Sequence, residues 1–450
     1  MIEFIKNKNL AIYYYPMMAL IYSASLCSLD LIHPGLCSAL LLIFIMGSML
    51  WQLISYLKLQ QSLPKLSTED IVMSAYFLYA VLSGAWCISF GMPPKVYLGE
   101  LVTTAGPMAF YYVGRTLTLN GDADGIMHHK LSGRGRFYRN FILSVLLLGI
   151  LGLILYILAP QFYLDYLFRL EYISKADVPT MRVRMLSVIG STLMGYLSVM
   201  AMLASMYFLI KSEGKKGKLL IVINLFLAFM SNQRAAMVAA ILALIYLNYL
   251  IFFTFELIPK NKLAIELGAF ALALAGLVFF FRGAFMKVYY RLVSLPGAIG
   301  QRSDQWVGAA NNMANIWLGN GLGANGHRAG EYTKHMIADG GLAKLYCEMG
   351  IVGTSLFIFL MLLTLKKGFR QLSNCATELG IIVLTLIMAI GSNMLSFAMA
   401  TPIFYLCIGI IAKAATEAET QNEAQYVNPL SGKAIFPYPA AKSPQEARKA

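Results

Sequence analysis

Residues 137–160 read FYRNFILSVLLLGILGLILYILAP, and after Arg139 no charged side chain interrupts them. About 20 apolar residues in a helix cross a hydrocarbon core about 30 Å thick, so this stretch is long enough to span a membrane. Comparable runs recur from end to end, at approximately 9–29, 34–57, 70–92, 96–117, 185–210, 218–233, 235–257, 262–282, 342–365, 375–398 and 401–415. The sequence thus predicts an all-α polytopic membrane protein with about 12 transmembrane helices. Composition points the same way: of 450 residues, 58% are hydrophobic and only 13% charged, against roughly a quarter charged in an ordinary soluble domain. A soluble fold is excluded.

The formal net charge is +14. In a soluble chain that excess would raise the question of nucleic acid, but here the first explanation is topology, because cytoplasmic loops collect Lys and Arg. With the N-terminus in the cytoplasm, the inward loops carry Lys58 and Lys65, then Arg115, Lys130, Arg134, Arg136 and Arg139, then KSEGKKGK from Lys211, Lys260 with Lys262, and KKGFR from Lys366. The expectation is a transmembrane domain over 1–413, outward loops at 161–184 and 282–341, and a polar, disordered cytoplasmic tail over 414–450. Lys6 and Lys8 precede a first helix with no small-residue cleavage site after it, which reads as retained. The six cysteines, Cys27, Cys37, Cys87, Cys347, Cys375 and Cys407, fall in or beside apolar runs without pairing rhythm and read as small core residues.

Basic residues on the outward side oppose that bias and ask for another reason. They gather in two segments, Arg169 to Arg184 and Arg282 to Lys344, with Arg234 alone in the short link SNQRAA. Arginine grips phosphate through a bidentate fork and keeps its charge. Clustered at the membrane surface, these side chains suit an anionic ligand such as a lipid phosphate or diphosphate. They equally suit snorkelling to headgroups, or pairing with Asp165, Glu171, Asp177 and Asp304. The 282–341 segment is far longer than an ordinary connection, which marks it as functional, and its aromatics and amphipathic stretches argue for short helices within it.

Inside that segment GLGANG, Gly321 to Gly326, matches GxGxxG, but no strand precedes it and no βαβ unit is possible. It reads instead as a glycine turn whose N–H groups suit a phosphate or sugar. Glu331, His335 and Asp339 are spaced to share one helical face, with Asp339 at the helix end before Gly340 and Gly341. His335 is a candidate general base, or a member of a structural polar network with the carboxylates. No HExxH, CxxC or EF-hand spacing occurs, so the sequence implies no metal and no cofactor. Glu100 and Glu266 are the few carboxylates within apolar spans.

Three stretches together resemble the superfamily of Wzy-type O-antigen polymerases and O-antigen ligases of bacterial envelopes. SNQRAAMVAAILAL, with Arg234, looks like that family's SxSR-G-A motif. QRSDQWVGAANNMANIWLGNGLGANG, with Arg302 and Trp306, resembles its R-x-x-x-W segment and following P-x-x-G-x-G turn, with Leu318 where proline is usual. DGGLAKLYCEMGIVGTSLFIF, from Asp339, resembles its H-N-x-x-L-x-x-L-x-E-x-G-x-x-G element, with Glu348, Gly350 and Gly353 in place. RVRMLSVIGSTLMGYLS, with Arg182 and Arg184, is a weaker fourth match. The resemblance runs over roughly 180–365.

What the resemblance implies is a GT-C-like, metal-independent glycosyltransferase of the bacterial inner membrane. Both termini would be cytoplasmic and the active site would face the periplasm. It would move a growing glycan from undecaprenyl diphosphate to a new lipid-linked repeat unit, among membrane lipids and alongside a chain-length regulator and a flippase. Arg184, Arg234, Arg282, Arg291, Arg302 and Arg328 would bind the diphosphate, with Arg234 and Arg302 preferred. Asp339, ahead of His335 and Glu331, would take the proton. Trp306, Tyr289 and Tyr332 would stack on sugars or anchor the interface. Asp339 stands where ligase-like members carry histidine, which favours polymerase over ligase. A transporter of lipid-linked sugars is the remaining alternative.

Overall fold

A computed structural model describes residues 10–28, 34–58, 66–119, 131–169, 187–211, 214–257 and 295–427, with single positions 268, 286, 289, 290 and 293. Among them there is no strand. Two apolar helices, α1 (Tyr14–Ser28) and α2 (Pro34–Lys58), lead into α3 (Thr68–Ser89). The chain turns through Gly91, at φ +92°, into the short α4 (Pro94–Glu100). A π turn (Leu101–Ala105), a 3-10 turn (Gly106–Ala109) and α5 (Phe110–Thr116) follow. Next come α6 (Gly133–Leu158), α7 (Pro160–Arg169), α8 (Ser191–Lys211) and α9 (Gly214–Met230). α10 (Arg234–Tyr249) ends in a π turn, and α11 (Leu295–Asn311) precedes α12 (Gly341–Arg370), α13 (Leu372–Gly391) and α14 (Thr401–Val427).

Among the described residues, seven helices are long and apolar enough to cross a membrane: α3, α6, α8, α10 with its π turn, α12, α13 and α14. The expected dozen is thus met in part. α1 and α2 are apolar but shorter over their described residues, α9 has only 17 residues, and 262–282 lies almost wholly outside the described residues. The span expected at 96–117 is helical throughout but changes register, from α through a π turn and a 3-10 turn and back to α. Pro107 has no N–H to continue the helix, and the Thr103 hydroxyl turns back to Gly99 O while the Thr104 hydroxyl donates to Glu100.

α8 is the central post, with 89% of its apolar stretch buried, against 39% of α3 and of α6. α6 shows why the outer helices differ. Phe137, Phe141, Val145 and Leu148 pack inward, whereas Leu143, Leu147, Ile150 and Ile154 form an exposed apolar stripe at helical spacing. In a membrane that stripe meets acyl chains.

The tail boundary expected at 413 falls inside α14, so residues 414–427 are helical rather than disordered, and 428–450 lie outside the described residues. Ala414 and Ala415 are buried, Arg115 donates to the Thr416 hydroxyl, and Lys413 pairs with Glu417 one turn on. The 161–184 loop likewise opens with α7, its remainder lying outside the described residues.

Buried charge is also more abundant than the spans suggest. Besides Glu100, the buried ionisable residues include Glu69, Asp70, Arg134, Lys344, Glu348 and Glu378, while Glu266 lies outside the described residues. Three of the basic residues expected to mark the inward side are locked into pairs at one end of the bundle. Arg115 grips Asp70 with Nε at 2.9 Å and Nη2 at 2.7 Å, Arg134 meets Glu378 at 2.7 Å, and Lys367 meets Glu69 at 2.9 Å. Partners this far apart in sequence escape a count made span by span.

Candidate functional site

At the other end of the bundle, the segment between α11 and α12 does not stay at the surface. It dips back along α12 as a re-entrant loop. Gly350 breaks α12 at φ +62°, ψ −166°, a region open essentially to glycine. The loop takes up the backbone groups around this break: Asn320 N donates to Cys347 O (2.9 Å), Gly321 N to Glu348 O (2.8 Å), Ile351 N to Ile316 O (3.0 Å) and Val352 N to Trp317 O (3.1 Å). Tyr79, midway along α3, brings its hydroxyl within 3.0 Å of both Leu318 O and Met349 O. Irregular backbone at membrane depth is tolerated where protein buries it and satisfies its polar groups.

The glycines of GLGANG serve this interlock. A Cβ at Gly319 would strike Glu348 O, and one at Gly321 would strike Cys87. Leu322 N donates to the Ser83 hydroxyl and Asn325 N to the Glu348 carboxylate. The turn is buried and its amides are spent on the protein, so the expected phosphate or sugar cradle is not there. Gly350→Ala would force a side chain into both the forbidden dihedral and the backbone of Trp317–Gly319. It should cost about 2 kcal/mol or more, read as a lower thermal midpoint in detergent. A variant as stable as wild type would refute the interlock.

Under the turn lies a buried charge cluster. Glu100 accepts from Lys344 through Oε1 and from Arg328 Nη1 at 3.1 Å through Oε2, while Lys344 also reaches the Ser396 hydroxyl at 2.8 Å and Glu348 at 3.7 Å. Arg328, expected to bind phosphate, pairs with the Glu100 carboxylate and the Thr103 hydroxyl while its side chain stays 46% exposed.

Four other expected residues do converge. Arg302 and Trp306 are one turn apart on α11 and both hold Asp339: Arg302 Nη2 meets Oδ2 at 2.6 Å, and Trp306 Nε1 donates to the backbone O at 2.6 Å. Gly340, at φ +128°, lets the chain pass under the Trp306 indole. Arg234 opens α10, and its charge repels that of Arg302. Among the described residues Arg234 has no hydrogen-bond or ion-pair partner, and its Nε is buried.

The frame around them was not legible in the motifs. Asn393, just past α13, donates to Ile337 O and Ala338 O, each at 3.0 Å, and Gly341 N donates to Ser392 O at 2.8 Å, so the 337–341 backbone is pinned. Tyr196 of α8 lies beside Ser392, within electrostatic reach of Asp339 and Arg302. His327, in the 3-10 turn His327–Ala329, also acts on Asp339. Partial burial raises the Asp339 carboxyl from its ordinary value, outweighing the pull of Arg302 and His327 in the other direction.

The remaining candidates stand elsewhere. Residues 330–340 form turns and bends, not a helix, so Glu331, His335 and Asp339 share no helical face. The backbone here is claimed by other partners: Asn325 takes the His335 carbonyl, and Ile337 N goes to Asn325 O. The His335 amide is capped by the Thr333 hydroxyl, Glu331 is exposed, and the Tyr332 ring carries Lys95 at 5.3 Å. Tyr289 is exposed against Tyr290. Arg184, Arg282 and Arg291 lie outside the described residues. No protein-family model and no curated sequence matches this chain.

Proposed function

We propose that the chain is an inner-membrane polymerase of lipid-linked O-antigen or related glycan repeat units, acting at the periplasmic face. The observation that supports this most is Arg234, a guanidinium without a counter-charge among the described residues, whose charge is felt by Arg302, the arginine that holds Asp339. An unneutralised cation at a helix start asks for an anion. A diphosphate ester supplies one, and as a leaving group it gains charge when the bond to the anomeric carbon breaks. The electron pair of that bond goes to the diphosphate oxygen, where Arg234 and Arg302 stabilise it. The acceptor hydroxyl forms the new bond to the anomeric carbon and gives its proton to Asp339. The face of Trp306, whose N–H is tied to Asp339 O, suits a sugar ring.

An O-antigen ligase would use the same donor with lipid A-core as acceptor, and supplying each acceptor to purified protein separates the two. A transporter of lipid-linked sugars is favoured by a different observation, the buried Glu100, Lys344 and Glu348, since ionisable residues within membrane spans mark substrate paths. Orientation is testable without substrate. In a chain cleared of native cysteines, a cysteine at 300 should be labelled from the periplasm and cysteines at 130 and 215 from the cytoplasm. Labelling of all three from one side would refute the proposed orientation.

A further inference from the structure

Arg302 faces two demands, which rest on the reading of Arg234 and Arg302 as a diphosphate site. It already holds Asp339 through a single contact, Nη2 to Oδ2, and its charge acts on Arg234. We propose that the arriving diphosphate takes Arg302 away from Asp339, so that substrate binding itself uncovers the carboxylate that accepts the proton.

Three observations carry this. The pair is partly open to solvent, with side chains 27% and 41% exposed, and ion pairs of that kind are worth little, so exchange is easy. The buried pairs at the opposite end of the bundle are not comparable: their carboxylates are 0–8% exposed. The second observation is Arg234, whose lack of a partner among the described residues biases any multivalent anion toward bridging the two guanidiniums. Third, Asp339 stays in place without Arg302. Trp306 Nε1 grips its backbone oxygen and Asn393 holds the two carbonyls before it, and neither bond involves the carboxylate.

Among the described residues, the other charged or titratable groups facing this pair are His327 from the 3-10 turn, Tyr196 from α8 and, beyond Arg302, Arg234 from α10. Losing Arg302 removes the largest influence that favours the charged carboxylate. The freed Asp339 is therefore a stronger base at the moment the donor is bound. The proton it receives comes from the acceptor hydroxyl as the new C–O bond forms, and passes to water after the diphosphate leaves.

The test is binding of inorganic pyrophosphate to the purified full-length protein in lipid nanodiscs. Asp339→Asn removes the competitor and should tighten binding about three- to tenfold, while Arg234→Ala should weaken it about tenfold or more. Unchanged or weaker binding in Asp339→Asn, with the Arg234 effect intact, overturns the exchange and leaves the anion site standing. No saturable binding to wild type overturns both. A second measurement does not depend on the Asp339 variant folding. Sulfate, a dianion throughout the neutral and mildly acidic range, is titrated against His327→Gln protein, in which this histidine no longer contributes. Its affinity should rise as pH falls and Asp339 takes up its proton, and a flat profile overturns the exchange.

Discussion

Arg234→Ala and Arg302→Ala protein should fold, reach the membrane and form no detectable polymer. Removing one preorganised donor from a developing charge typically costs about 10²–10³ in rate, and here two guanidiniums share one leaving group. The folding cost is small for separate reasons. Arg234 has no partner to lose among the described residues, and the Arg302 pair is partly exposed. Arg→Lys should rescue poorly at either position, because an ammonium keeps the charge without the planar fork. Polymer yield and membrane abundance, measured side by side, check this. Full activity in both alanine variants would leave the arginines as headgroup anchors.

Asp339→Asn should lower turnover by about 10² or more, the usual contribution of a general base. The amide keeps the size of the side chain, and Trp306 and Asn393 keep the backbone where it is, so the loss belongs to the missing proton acceptor. The pH profile carries an independent signature. A base works in its ionised form, and burial raises the Asp339 pKa, so activity should fall with decreasing pH from a point above the ordinary carboxylate value of about 4. That acidic limb should vanish in Asp339→Asn. His335→Ala should retain activity, since the histidine backbone is bound to Asn325 and Thr333 and it shares no helical face with Asp339. The reverse result would move the base to His335.

Sequence and structure agree where a rule of spacing operates and part where long-range packing decides. The long apolar runs read as spanning helices because the bilayer fixes both length and polarity. A motif singles out Arg302 and Trp306, and α11 puts them one turn apart, both on Asp339. Glu331, His335 and Asp339 have the same kind of spacing, but glycine at 330, 340 and 341 and the claims of Asn325 on that backbone win over it. Arg328 offered no warning of Glu100, which lies 228 positions away. Asn393, Tyr196 and His327 belong to no motif, and only the convergence of α8, α13 and the re-entrant loop brings them to Asp339. GLGANG was legible as a tight turn but not as one folded back between α3 and α12, because the groups that bury it are side chains and carbonyls of other helices.

The most direct measurement supplies purified protein, in nanodiscs without other proteins, with lipid-linked repeat unit and no other acceptor. Electrophoresis of the glycans should then show a ladder stepping by one repeat unit, absent with Arg234→Ala protein. No product longer than the input, from protein that instead carries the lipid-linked unit across a vesicle membrane, would contradict the polymerase reading and make the chain a transporter.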